Sequence, residues 1–159
     1  MSSSAFISGI TFEKIEMAAG SNIYFFLEEV SYDLKNKRKT RLWLTQAAEN
    51  EGHKIKNLNF ILTNDNILFQ LNKEYLSHIT LTDIITFDLS DEKGELSGDI
   101  YISVDRAREN AKEFRVTVVN EVNRLMIHGI LHLMGYKDKT RDEKELMRTK
   151  EEFYLSLLP

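Results

Sequence analysis

The chain has 159 residues, of which 42% are hydrophobic and 29% are charged, and its formal net charge at pH 7 is −4. This length and composition predict one globular domain over residues 1–159 and exclude a mostly disordered or fibrous chain. The absence of cysteine excludes disulfides, thiol catalysis and iron–sulfur clusters, and the acidic balance excludes a strongly basic nucleic-acid-binding coat.

The predicted elements alternate between strands and helices along the chain. Short apolar or alternating runs predict strands at 10–12, 22–26, 57–63, 83–89 and 100–104. Amphipathic patterns predict a helix that ends near residue 50, a short helix from 64 or 65, and helices over 105–114, 117–134 and 140–157.

The arrangement of these elements predicts the fold class. A polar loop over 90–95 joins two β-branched strands, which indicates an antiparallel hairpin. Asp105 is predicted to cap the helix after the hairpin, Gly135 to end the longest helix, and Thr140 with Glu143 to form a capping box on the last one. We therefore expect an α+β domain in which helices pack against a mixed, mostly four-stranded sheet.

Two histidines lie four residues apart in the longest predicted helix. His128 and His132 therefore share one helix face, about one turn apart, and can bind one transition metal together. Gly135 can end the helix and turn the chain so that Asp138 returns as a third ligand. The pattern H-x-x-x-H-x-x-G-x-x-D has the ligand spacing of the metzincin signature. The sequence thus predicts a metal site at His128, His132 and Asp138, on the long helix in the C-terminal half.

Another interpretation is that both histidines are ordinary polar residues on a half-buried helix face. Burying two unpaired imidazoles costs roughly a few kcal/mol, and a glycine and a carboxylate follow where a third ligand requires them, so the metal site is favoured. Asp142 and Glu143 are alternative third ligands, but they lie further along and in the next predicted helix. One zinc ion per chain is predicted, with another divalent transition metal as the alternative.

The residue after the first histidine is Gly129, where metalloproteases of this spacing have a glutamate as general base. Without that carboxylate, peptide hydrolysis in the usual manner of these proteases lacks its base. The pattern favours a hydrolysis in which the metal itself activates water.

Three blocks of sequence lie in order and cover residues from about 58 to 140: LNKEY at 71–75 followed by TDIITF at 82–87, then GDIYIS at 98–103, and HGILHLMGY at 128–136. Together they resemble the YbeY family of bacterial single-strand-specific endoribonucleases, also called rRNA maturation factors. The resemblance implies a metal-dependent endoribonuclease that acts on ribosomal RNA, in its maturation and in ribosome quality control. It also implies small-subunit ribosomal proteins as candidate partners and a bacterial cytoplasmic location.

Four positions depart from that family's pattern. Asp138 stands in place of a third histidine, and Lys137 in place of an aspartate. Leu76 replaces an arginine that is thought to face the phosphate in the family, and Leu81 replaces a proline. Without this arginine, the chain lacks at position 76 the side chain that the resemblance implies for contact with the substrate phosphate.

Several residues are candidates for contacting the substrate. Arg124 lies four residues before His128 on the same helical stripe and can reach toward a phosphate, or it can form an ion pair with Glu121. Thr82 and Asp83 either line a cleft beside the metal or make only turn hydrogen bonds.

A basic cluster over 35–41 offers a different kind of substrate contact. Lys37 and Arg38 in this cluster are candidate RNA-binding residues, and a solvated helix start is the alternative interpretation. His53 and His78 belong to no motif, and we expect them to be structural or exposed.

Two other functions fit the same residues. One is a metal-dependent, peptidase-like hydrolase, and the other is a non-enzymatic ribosome-assembly factor with a structural metal. No apolar run approaches the ~20 residues that cross a membrane, and residues 1–10 lack the pattern of a secretory signal. We therefore expect a cytoplasmic protein that does not bind membranes.

Overall fold

The structure is a computed structural model that describes residues 22–77 and 80–158. The strands in these ranges are β1 (Ile23–Leu27), β2 (Lys54–Thr63), β3 (Ile84–Asp88) and β4 (Glu95–Ser103). The helices are α1 (Lys37–Asn50), α2 (Asp65–Leu76), α3 (Val104–Phe114), α4 (Val118–Leu133) and α5 (Arg141–Ser156). The strand predicted at 10–12 and the residue His78 lie outside the described residues.

The four strands form one mixed sheet in the order β1-β2-β4-β3. β2 pairs in parallel with both β1 and β4, so helices cross over between these strands. β3 pairs antiparallel with β4, which confirms the predicted hairpin. The predicted α+β fold with a mixed four-stranded sheet is therefore confirmed. In the described part of the chain, no helix combines the length and apolar character needed to cross a membrane.

Helix α4 packs closely against the sheet. A Cβ atom added at Gly129 would lie 2.9 Å from two side-chain carbons of Ile100 on β4 and 3.2 Å from Ile84 on β3. Met126 and Ile130, on either side of this contact, are fully buried. Position 129 therefore faces the sheet, and only a residue without a side chain fits there at this distance.

Most predicted helix ends are confirmed. The side chain of Asn64 accepts a hydrogen bond from the backbone of α2, and Thr140 and Glu143 form a complete capping box on α5. Gly135 follows α4 with φ +102°, a conformation that favours glycine. The sequence was sufficient to predict these helix ends because each cap involves residues only a few positions apart.

The prediction that Asp105 caps α3 is wrong. The hydroxyl oxygen of Ser103 accepts from the backbone N–H of Arg106 at 3.1 Å, and Asp105 lies in the first turn. The carboxylate of Asp105 instead accepts from the backbone N–H of Asp65 at 3.0 Å. β4 runs directly into α3, so the capping position falls on the last residue of the strand.

Candidate metal centre

Three side chains converge at the C-terminal end of α4. His132 Nε2 lies 3.0 Å from His128 Nε2, and Asp138 Oδ2 lies 3.2 Å from His132 Nε2 and 3.4 Å from His128 Nε2. A tetrahedral zinc site with bonds of about 2.0–2.1 Å separates neighbouring ligand atoms by about 3.3 Å. The three observed separations therefore suit three corners of one metal site, and among the described residues these three form a group that could hold an ion.

The hydrogen bonds on the far side of each imidazole determine which nitrogen faces the site. His128 Nδ1 lies 2.5 Å from a carboxylate oxygen of Glu151, and His132 Nδ1 lies 3.0 Å from the backbone oxygen of Tyr136. Both partners accept, so each Nδ1 donates and each Nε2 of a neutral ring presents a lone pair. Two lone pairs and a carboxylate facing one another repel, and a bound cation would relieve that repulsion.

The turn after α4 carries Asp138 back toward the histidines. The N–H of Gly135 donates to the backbone oxygen of His132 at 2.9 Å, and the N–H of Tyr136 donates to that of Leu131 at 3.0 Å. These bonds satisfy the last carbonyls of the helix and reverse the chain. The structure thus brings together the three residues that the sequence predicts as metal ligands.

The ligands line a cleft of about 540 Å³. Thr82 and Asp83 line the same cleft, and each also makes the local bonds of the alternative interpretation. The hydroxyl of Thr82 donates to Ile84 O at 3.3 Å, and Asp83 accepts from Asn110 at 3.1 Å. Leu76, which stands where the family pattern has an arginine, lines the cleft as well. An uncharged side chain therefore occupies that position beside the ligands.

Arg124 is held by carboxylates and is not among the residues that line the cleft. It donates twice to Glu121, at 2.9 and 2.7 Å, and once to Glu151 at 3.1 Å. Burial lowers the pKa of Arg124, but the hydrogen bonds and charges of Glu121 and Glu151 outweigh burial and raise it. The structure therefore shows the ion pair with Glu121, and a phosphate contact by Arg124 stays a prediction.

Glu151 also supports the site, although no sequence motif indicated it. Its side chain is 6% exposed, and its two oxygens contact His128, 23 residues away, and Arg124. Met147, Glu151 and Tyr154 are the buried residues of α5, spaced as one helix face. An acidic residue inside an apolar stripe was the available signal, because a buried carboxylate needs a charged or hydrogen-bonding partner.

The structure does not place Lys37 and Arg38 beside the three ligands. Both are exposed in the first turn of α1. The other end of α1 is the end near the site, because Glu51, which follows it, accepts a hydrogen bond at 2.6 Å from Tyr136, two residues before Asp138. A helix of this length separates its ends by about 20 Å. Arg41 of the same cluster is buried and donates to Ile23 O at 3.0 Å. RNA binding by Lys37 and Arg38 stays a prediction.

Comparison with known proteins identifies the family. The sequence model of the family described as Endoribonuclease YbeY matches residues 24–158. Relatives named Endoribonuclease YbeY from Cytophaga hutchinsonii and Amoebophilus asiaticus are 48% and 41% identical, over 85% of this chain and 94% and 92% of their own lengths. The solution structure of TM1509 from Thermotoga maritima is 28% identical with a TM-score of 0.59, covering 84% of this chain and 87% of that one. The chain therefore belongs to the endoribonuclease YbeY family.

Proposed function

We propose that this protein is a metal-dependent endoribonuclease that hydrolyses single-stranded RNA during ribosomal RNA maturation and ribosome quality control. The observation that supports this function is the convergence of two imidazole nitrogens and a carboxylate oxygen within 3.0–3.4 Å, beside an open cleft. The relatives are named as endoribonucleases. We further propose zinc as the metal, small-subunit ribosomal proteins as partners and the cytoplasm as the location.

Each residue of the site has a distinct task in this proposal. His128, His132 and Asp138 would hold the metal, and three protein ligands are the number typical of catalytic zinc sites. When bound, zinc polarises a phosphoryl oxygen and lowers the pKa of water. Thr82 and Asp83 contact the RNA from the part of the cleft formed by β3 and the residues before it.

The support for the two imidazoles comes from outside the cleft. Glu151 and the carbonyl of Tyr136 orient the two rings through their Nδ1 atoms. Arg124 in turn holds Glu151 and is a positioning residue in this scheme, since it contacts no ligand directly.

The geometry argues against the two other functions. A peptidase of metzincin spacing needs a glutamate after the first histidine, and position 129 faces Ile100 in the core. A structural zinc site is closed by four protein ligands, whereas this site has three and opens into a cleft, with 39% of the Asp138 side chain exposed. The open site favours a catalytic metal.

Replacing Asp138 with alanine tests the proposed function. We expect the wild type to bind about one zinc ion per chain and to cleave a single-stranded RNA oligonucleotide. Asp138→Ala should lose most of the zinc and most of the cleavage, because two imidazoles alone hold the ion weakly. Metal content by mass spectrometry and oligonucleotide cleavage measure both effects.

Asp142→Ala is the matched control, since Asp142 is exposed in the first turn of α5. It should keep both metal and activity. The proposal fails if zinc-loaded wild type cleaves no single-stranded RNA, or if Asp138→Ala retains full activity.

A further inference from the structure

An RNA phosphate bound beside the metal is stabilised by a further cationic side chain, and no arginine is among the described residues that line the cleft. The residue at the family's arginine position is Leu76, which lines the cleft without a charge. Arg124 already donates to Glu121 and Glu151, and its side chain is only 25% exposed. A positively charged side chain that lines the cleft must therefore come from another element.

Lys139 is the one lysine or arginine among the described residues that line the cleft. It directly follows Asp138 in the turn between α4 and α5, and its side chain is exposed. Its backbone N–H donates to the carboxylate of Glu143 at 3.1 Å, which ties this part of the turn to the start of α5. Among the described residues its ammonium group has no ion-pair partner, so it is available to a ligand.

The charge of the cleft leads to the same residue. Asp83, Asp88 and Asp138 are the carboxylates that line it. Arg124 lies 4.0 Å from Asp83, and a divalent metal would balance the two remaining negative charges, so Lys139 gives the cleft a net positive charge. Without Lys139 the cleft would have no net positive charge to attract a phosphodiester.

We infer that Lys139 binds the RNA phosphate backbone beside the metal ligands and takes the place of the arginine that this chain lacks at position 76. The inference rests on the proposed function, because it assigns a substrate contact within the same site. The ligand class is the phosphodiester backbone of single-stranded RNA. An ammonium group contacts a phosphate as a point charge and reads no base, so the contact strengthens binding without sequence preference.

The experiment measures binding of a fluorescent single-stranded RNA oligonucleotide to metal-free and zinc-loaded protein between about 50 and 200 mM salt. Lys139→Gln should weaken binding on the order of tenfold. It should also reduce the slope of log K against log salt by about 0.7, the value for one phosphate contact on a single strand. Zinc content should not change, and Lys139→Arg should restore the binding.

Lys137→Gln is the matched control, since Lys137 is exposed in the same turn but does not line the cleft. It should leave both affinity and slope near wild type. If Lys139→Gln equals Lys137→Gln in both quantities while the wild type cleaves RNA, the inference is wrong and the proposed function stands. If the zinc-loaded wild type neither binds nor cleaves RNA, both fail.

Discussion

The orientation of His128 depends on a series of paired charges behind it. Glu151 contacts the imidazole, Arg124 joins Glu151 to Glu121, and Asn110 donates to Glu121 at 3.0 Å. Glu121 and Glu151 have side chains only 1% and 6% exposed. Buried charges of this kind are stable only when paired, and removing one partner leaves the other uncompensated.

Replacing Glu151 with glutamine should therefore weaken zinc binding by roughly 10–100-fold. Glutamine can still accept a hydrogen bond from His128 Nδ1, but it carries no charge to make the imidazole a stronger ligand. Competition with a chromophoric chelator measures the dissociation constant for zinc.

Glu152→Gln is the control for this change, because Glu152 is the exposed neighbour on α5. Equal zinc affinities for Glu151→Gln, Glu152→Gln and wild type would show that Glu151 does not support the site.

Among the elements, helix α4 both carries the two candidate metal-binding histidines and packs against the sheet. Its polar face carries His128 and His132, and the adjacent face packs on β3 and β4 at Gly129. The close approach at Gly129 determines how far the histidines stand from the strands that form the other part of the cleft. The depth of the cleft thus depends on a residue without a side chain.

Gly129→Ala should destabilise the fold by about 1–3 kcal/mol, although alanine is the better helix former, because the new methyl overlaps Ile100. Urea unfolding of the purified variants measures the free energy of unfolding.

A double-mutant cycle separates the overlap with Ile100 from the effect of alanine on the helix itself. In an Ile100→Ala background the two overlapping carbons are absent, so Gly129→Ala should cost less there than in wild type. The same cost in both backgrounds would show that contact with Ile100 is not the cause.

At the scale of the whole molecule, Glu51 connects segments that are far apart in the sequence. It follows α1 and accepts hydrogen bonds from Tyr136 after α4 and from Lys150 and Tyr154 on α5. Because the carbonyl of Tyr136 also accepts from His132, this cluster joins the first and last described helices to the turn that carries Asp138.

The Glu51 cluster should contribute stability that depends on pH. Burial raises the pKa of Glu51, but hydrogen bonds from Tyr136, Tyr154 and Lys150 outweigh burial and lower it below its ordinary 4.5. A lowered pKa in the folded state means that the stabilisation is complete above about pH 4.5 and disappears as the pH falls through the folded value.

Glu51→Gln should therefore lower the free energy of unfolding by about 1–2 kcal/mol at pH 7, and the difference from wild type should shrink below pH 4.5. Urea titrations from pH 7 to about 3 measure it. Glu49→Gln, an exposed change within α1, should show no such pH-dependent difference. A difference for Glu51→Gln that stays constant with pH would contradict the assignment.

The parts of this protein that could be predicted from sequence depend on neighbours along the chain. The spacing of His128 and His132 reflects the helical repeat, and Gly135 lies where the turn toward Asp138 requires positive φ. The hairpin of β3 and β4 was also predicted, since a short polar loop leaves antiparallel pairing as the simple connection. The capping residue of α3 was not predicted correctly, because Ser103 and Asp105 are both residue types that favour the N-cap position.

The sequence by itself determined the α+β fold class, the family and the three candidate ligands, because each depends on local spacing or on motifs. Only the tertiary structure decided that Arg124 pairs with Glu121 and Glu151, and that Thr82, Asp83 and Lys139 share one cleft with the ligands. These contacts join residues of separate elements, so the packing of helices on the sheet determines them, and no periodicity along the chain encodes that packing.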